Sequence, residues 1–449
     1  MADEALAPAA PTTPVEASRN DRYRNLLISS EIDTRLAGLV VALVAIWVTF
    51  HFLSDGDFLT SRNLWNLSVQ STSIAIMATG MVLIIVSRNI DLSVGSLLGF
   101  LGYFMAMIQT RWIPTTFDLG YDRPYTWIVA LLAGIVLGAI IGGLQGFIVA
   151  YGGVPAFIVT LGGFLAWRGL ISKLGGQGQT LSPLDDRFGR LGGGGADGSM
   201  GEVRSWVLAA LGCGAICASI YFARRSRRRF NLGVRPLGVD IGLAALGCLI
   251  IVAAVGLIFN GYESPITHDP TGVAYPVVIL IFVTIIMTYV AKRRRFGRYV
   301  YAYGGNPEAA ELGGINTRRT IMFTFVLMGV LCAISAAVST ARLDSATLNQ
   351  GVQNELDVIS AAVIGGVSFA GGIGTIFGAV LGAVVMQSLR NGMQLLAIDS
   401  PEQDVVVGVV LVSAVAVDAQ IRKGSRVGML VALGVGLAVS ALVIYTGKS

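Results

Sequence analysis

A basic, hydrophilic stretch from Lys292 to Arg319 carries Glu308-Ala309-Ala310 and, after three intervening residues, Gly314. An exposed carboxylate offers a partner a charge, paired alanines offer a close-packing surface, and glycine allows a backbone turn that a Cβ hinders. With Asn306 before them and Ile315 after, these residues make 306–316 a candidate force-transmitting loop. The bland reading of the same residues is an ordinary solvated loop. A second polar group, Asp91, Ser93 and Ser96, interrupts two apolar runs within Ser87-Arg88-Asn89-Ile90-Asp91-Leu92-Ser93-Val94-Gly95-Ser96. Two readings stand side by side there. One is a plain hairpin that leaves Arg88 and Asp91 at the membrane edge, with Asp91 capping the helix that follows. The other is a buried ionisable group, costly in lipid and therefore functional. Ser368 and Asn391 complete the set of candidate pathway or gating residues. Asn391 sits with Arg390 and Gln394 near the end of an apolar run, as a snorkelling boundary or the mouth of a polar path.

Other chemistries fail on inspection. The chain ends Gly447-Lys448-Ser449, but a phosphate loop needs glycine at 442, where Leu442 sits, and a helix to follow. Gly372-Ile373-Gly374-Thr375-Ile376-Phe377 has Phe377 in place of the third glycine of a dinucleotide fingerprint, and no strand precedes it. Cys213, Cys217, Cys248 and Cys332 all lie in apolar runs, where a thiol acts as a small hydrophobe. His51 and His268 give Cys213 and Cys217 no zinc ligand set. No cofactor is expected, and no nucleic acid, because the excess of basic residues falls in short interhelical loops.

Composition supplies the setting. The chain is 54% hydrophobic and 13% charged, against about 25% charged in an ordinary soluble domain. A helix needs about 20 mostly apolar residues to cross the ~30 Å hydrocarbon core. Such runs predict an all-α, polytopic membrane bundle of about 12–14 segments, at 36–53, 65–87, 92–110, 126–149, 155–174, 203–223, 236–258, 274–291, 320–340, 357–370, 373–397, 405–421 and 427–445. The pair at 357–397 is either two short helices or a re-entrant hairpin. Residues 1–34, Ala/Pro-rich and polar, read as a disordered cytoplasmic tail, leaving 35–449 as the membrane domain.

Orientation follows from the basic residues. Arg224, Arg225, Arg227, Arg228, Arg229 and Arg235 flank one loop, and Lys292, Arg293, Arg294, Arg295, Arg298, Arg318 and Arg319 flank another. Both loops are expected in the cytoplasm, with the Lys- and Arg-free loop 259–273 on the far side. Two glycine sets recur every fourth residue: Gly134, Gly138, Gly142, Gly146, and Gly374, Gly378, Gly382. Each is expected to form one helical stripe for close helix approach.

Three local patterns carry a family resemblance: Asn89 to Ser96; Phe296-Gly297-Arg298 through Tyr303-Gly304-Gly305-Asn306-Pro307-Glu308-Ala309-Ala310 to Gly314-Ile315; and Gly365-Gly366-Val367-Ser368 with Gly371-Gly372-Ile373-Gly374-Thr375 and Gly378-Ala379. Over residues 36–421 the chain resembles the membrane permease subunits of bacterial ABC importers for monosaccharides, the ribose/xylose type. The resemblance implies an inner-membrane pore made by two copies of the chain. It also implies sugar delivery by a periplasmic binding protein and drive from a separate cytoplasmic ATPase. The ATPase would dock on the loop containing Asn306, Glu308, Ala309, Ala310, Gly314 and Ile315. Segments 203–258 look additional to the shorter ribose-type chains and closer to the xylose branch, and 427–445 also looks additional. Two rivals remain: a secondary transporter of a small polar solute, which needs midplane charges and repeated halves, and an intramembrane enzyme, which needs convergent acids or histidines.

Overall fold

The structure, a computed structural model, describes residues 34–422 apart from 122, 177, 195–196, 232–235 and 265–267. The N-terminal tail, Arg235, the segment 427–445 and the Gly447-Lys448-Ser449 end lie outside the described residues. Among the described residues the longer helices are α1 Thr34–Leu53, α2 Ser61–Val86, α3 Val94–Met107, α4 Thr126–Gly152, α5 Ala156–Gly175, α6 Gly201–Arg229, α7 Leu237–Ala253, α8 Tyr275–Arg293, α9 Arg295–Gly305, α10 Pro307–Leu312, α11 Thr317–Arg342, α12 Asn354–Ile364, α13 Ile376–Leu395 and α14 Ser400–Arg422. Among the described residues eight helices are long and apolar enough to cross a membrane: α1, α2, α4, α5, α6, α7 with its π-helical end to Phe259, α8 and α11.

The segments beyond those eight depart from simple spans for identifiable reasons. α12 has 11 residues, about 16 Å at 1.5 Å each, roughly half the hydrocarbon thickness. It packs antiparallel along α13 through the turn 365–375, so the pair is a short helix leaning on a long one. α13 carries the polar residues Arg390 and Asn391 in its last turns. α3 continues as a π-helix through Thr116 that contains Pro114.

α2 and α11 form the centre of the bundle; α1, α6 and α7 lie at its periphery with most of their surface outward. The glycine stripe of α4 rests directly on α11. A Cβ on Gly138 would overlap Gly329 O, one on Gly142 would overlap Phe325 O, and one on Gly146 would come within 2.7 Å of Met322 O. Backbone-to-backbone approach of this kind is how helices gain packing in lipid, where burial supplies no drive. The second stripe is split. Gly374 precedes α13 and packs against Val86 and Val367, whereas Gly378 and Gly382 face the α12 backbone at Gly365 and Ala361. The 371–375 segment leaves the helical register because Gly371 and Gly372 adopt φ of +86° and +73°, which side-chain-bearing residues rarely hold.

α6 and α7 pack on each other, joined by an Arg224–Asp240 ion pair at 2.6 Å. They meet the bundle through Trp65, Val69, Val255 and Phe259. At one end of the bundle lie 87–89, 153–155, 294–316 and 365–375. At the other, short bridges tie Leu181 to Ala346 and Ser199 to Ala274.

Candidate functional site

The loop after α8 folds into two short helices. The Asn306 side chain caps α10 by accepting from Ala309 N at 3.0 Å, and Pro307 occupies the first helical position, where its missing N–H costs nothing. Gly314 N donates to Glu311 O and Ile315 N to Ala310 O, and Gly314 stands at φ +78° with open space around its missing side chain. That left-handed residue ends α10. The two alanines divide. Ala310 is buried and anchors the helix, while Glu308, Ala309 and Leu312 face outward, Leu312 with 91% of its surface exposed. The outward face of α10 is therefore made by Glu308, Ala309 and Leu312, with Ala310 turned inward.

The base of this element is tied to two buried segments. Arg88 Nε donates to Gly304 O at 2.8 Å and its Nη2 to Gly305 O at 3.0 Å. Gly372 N donates to Val86 O at 3.0 Å, and the Tyr301 hydroxyl donates to Gly374 O at 2.7 Å. Burial pushes the Tyr301 phenol up to about 12. Gly304 is placed so closely that a Cβ would overlap Val86 O and come within 2.6 Å of Gly372 N. The end of α2, the end of α9 and the turn before α13 thus form one junction. Ser368 belongs to that turn: it is buried, its N–H donates to Ile373 O, and its carbonyl accepts from Gly371 N.

Asp91, Ser93 and Ser96 lie deeper. After α2 the chain is irregular from Asn89 to Ser93, and α3 begins only at Val94. Gln145 Nε2 donates to Ser93 Oγ at 3.0 Å, and Gln145 is seven residues short of the end of α4 at Gly152, about 10 Å into the bundle at 1.5 Å per residue. Asp91 is 1% exposed, so the membrane-edge hairpin is corrected to a buried carboxylate on a broken helix. It accepts from Ser93 N at 2.9 Å and Ser93 Oγ at 2.7 Å, a local turn ahead of the helix rather than a cap on its first turn. Ser96 Oγ donates back to Ser93 O at 2.8 Å.

Asn391 is at the opposite end. It exchanges amide hydrogen bonds with Asn63 at 2.9 and 3.0 Å, tying the late turns of α13 to the start of α2. Its neighbour Arg390 is ion-paired: its Nε and Nη2 fork onto Asp357 at 2.9 Å, both side chains largely buried. The candidate residues therefore occupy three places, each hydrogen-bonded within the chain. Arg88, Tyr301, Gly304 and Asp357 escaped sequence reasoning because their partners lie at separations without periodicity. Leu312 carried a legible signal, a large apolar residue in a hydrophilic loop.

The family model described as branched-chain amino acid transport system / permease component matches residues 63–415. The xylose transport system permease protein of Haemophilus influenzae is 37% identical over 385 residues, 86% of this chain and 96% of its own length. The ribose import permease protein of Escherichia coli is 33% identical over 379 residues, covering 84% and 92%. The D-allose transport system permease protein of Escherichia coli is 26% identical over 391 residues, covering 86% and 92%. No solved structure matches. With a model match spanning most of the chain and relatives aligned over nearly their whole length, the chain belongs to this permease-component family as a multi-pass membrane protein of a transport system.

Proposed function

We propose that the chain is the membrane subunit of a bacterial inner-membrane ABC importer for a monosaccharide, xylose before ribose, without an ATPase site of its own. The likeness to the xylose and ribose permeases supports the substrate class. The observation that carries the mechanism is the three-way junction under α10. A separate ATPase grips Glu308, Ala309 and Leu312, and displacement of α10 pulls on Gly304 and Gly305. Arg88 passes that pull to α2, and Tyr301 passes it to the turn before α13. Both receiving helices are packed in the interior, so a small shift at the loop changes the bundle rather than dissipating at its surface. A periplasmic sugar-binding protein delivers to the opposite end, and a second copy completes the pore.

Proteoliposomes test this with the sugar-binding protein present and the tagged chain either alone or with the ATPase that co-purifies from mild detergent. Labelled xylose should enter only with the ATPase and ATP. Leu312→Asp and Gly314→Trp should leave the chain folded in the membrane yet lose both the ATPase and uptake, since neither a charge nor an indole fits a packed apolar contact. Uptake by the chain alone on a proton gradient would replace this reading with a secondary transporter.

A further inference from the structure

Beside the coupling loop, a groove of about 650 Å³ opens between α8 and α11. Its wall is apolar, built from Val290, Phe296, Phe323, Val326 and Val330. Its mouth is polar, with Tyr299, Asn316 and Arg319. Along α11 the lining residues run from Arg319 to Val330 at helical spacing, about 16 Å of depth at 1.5 Å per residue. That is roughly half the ~30 Å hydrocarbon core, the depth of one leaflet.

The charge at the mouth is one-sided. Arg319 lines the groove with its guanidinium 5.6 Å from the Phe323 ring, and Arg293, Arg294, Arg298 and Arg318 cluster at the same ends of α8, α9 and α11. Among the described residues none of these five arginines is paired with a carboxylate. The nearby acid Glu311 accepts from the Thr317 hydroxyl instead. Such a site has a water-boundary rim seeking negative charge above an apolar slot as deep as one leaflet. Basic pockets between membrane helices on the cytoplasmic side suit anionic headgroups.

We infer that this groove binds one anionic phospholipid, its phosphate on Arg319 and its acyl chain along Phe323, Val326 and Val330. Gly314, the left-handed residue that ends α10, also lines the mouth, so the bound lipid buttresses the base of the coupling loop. The site does not depend on which sugar is carried. A second copy of the chain or the segment 427–445 would cover apolar wall equally well, but neither accounts for the arginine rim at the water boundary.

The test replaces Phe323 with photoreactive p-benzoylphenylalanine in the chain reconstituted into phosphatidylglycerol/phosphatidylethanolamine vesicles, with adducts identified by mass spectrometry. Phosphatidylglycerol adducts should exceed their mole fraction in the bilayer, and Val326→Trp, which fills the slot, should remove them. In native mass spectrometry of the delipidated, otherwise unaltered chain, Arg319→Gln should weaken phosphatidylglycerol binding about five-fold, the factor for one basic residue near a lipid surface. Phosphatidylcholine binding should not change. Adducts to a second chain or to peptides from 427–445 would overturn the proposal, as would lipid adducts without headgroup preference or an Arg319→Gln chain that binds phosphatidylglycerol normally.

Discussion

Arg88→Ala removes both donors that hold Gly304 and Gly305 to the end of α2. ATPase binding at α10 should survive, because Glu308, Ala309 and Leu312 are untouched, while ATP-driven uptake should fall at least ten-fold. Uptake and ATPase co-purification measured on the same membranes separate the two effects, and normal uptake would take Arg88 out of the transmission path. Tyr301 adds a pH-dependent signature. Its phenol rises from an ordinary 10.0 to about 12 on folding, so the protonated form contributes stability that is complete below about pH 10 and lost as pH rises through about 12. Tyr301→Phe should cost about 1 kcal/mol at pH 8 from the lost hydrogen bond. It should also flatten the alkaline decline of thermal stability; an unchanged decline would place the titration elsewhere. At this scale the sequence was a partial guide. Gly314 announces a turn by residue type alone, but Arg88 and Tyr301 act on backbone carbonyls, which every residue possesses and no pattern marks.

Helix-on-helix packing sets the next expectations. Gly138→Ile drives a branched side chain into the α11 backbone at Gly329, so folded yield should drop, with an overpacking cost of about 1–3 kcal/mol or more if α4 cannot shift. Size-exclusion recovery reads this, and full recovery would mean α4 slides freely on α11. The Arg390–Asp357 fork joins α13 to α12. Arg390→Ala strands a largely buried carboxylate and should destabilise by about 3–5 kcal/mol, while Arg390→Met with Asp357→Leu should recover most of it. Thermal unfolding in detergent compares the two; equal losses would make the pair unimportant. The α4 stripe was legible because it runs uninterrupted at a four-residue period. The second was not, because Gly374 has the right spacing but precedes α13, and period alone cannot tell a helical glycine from one in the turn before it. Length likewise marked the first member of the 357–397 pair as short, and the structure makes it the 11-residue α12 followed by a turn.

For the whole molecule the arginine-rich loops and the bridged loops fall at opposite ends, as the charge bias anticipated. A single cysteine at Arg298 in a cysteine-free chain should be shielded from an impermeant thiol reagent added to intact cells, and one at Asp269 should react; the reverse labelling would invert the topology and detach α10 from any cytoplasmic ATPase. Hydropathy foretold the number of apolar runs better than their roles. α2 and α6 are both long and apolar, yet α2 is central and nearly all enclosed while α6 is peripheral. What separates them is the small and polar content of α2, with Ser71, Thr72, Thr79 and Gly80 buried against neighbours, a distinction that mean hydropathy averages away.

The break after α2 also bears on biosynthesis. Asp91 finds Ser93 as soon as both residues are made, but the amide that completes the cluster belongs to Gln145, 52 residues later than Ser93. At about 5–20 residues per second that is a wait of roughly 3–10 s. Over that interval the nascent α2–α3 pair holds an acidic group it cannot leave in lipid. The polar cluster ahead of α3 is therefore complete only once α4 has been made, and until then the Ser93 hydroxyl lacks its Gln145 partner.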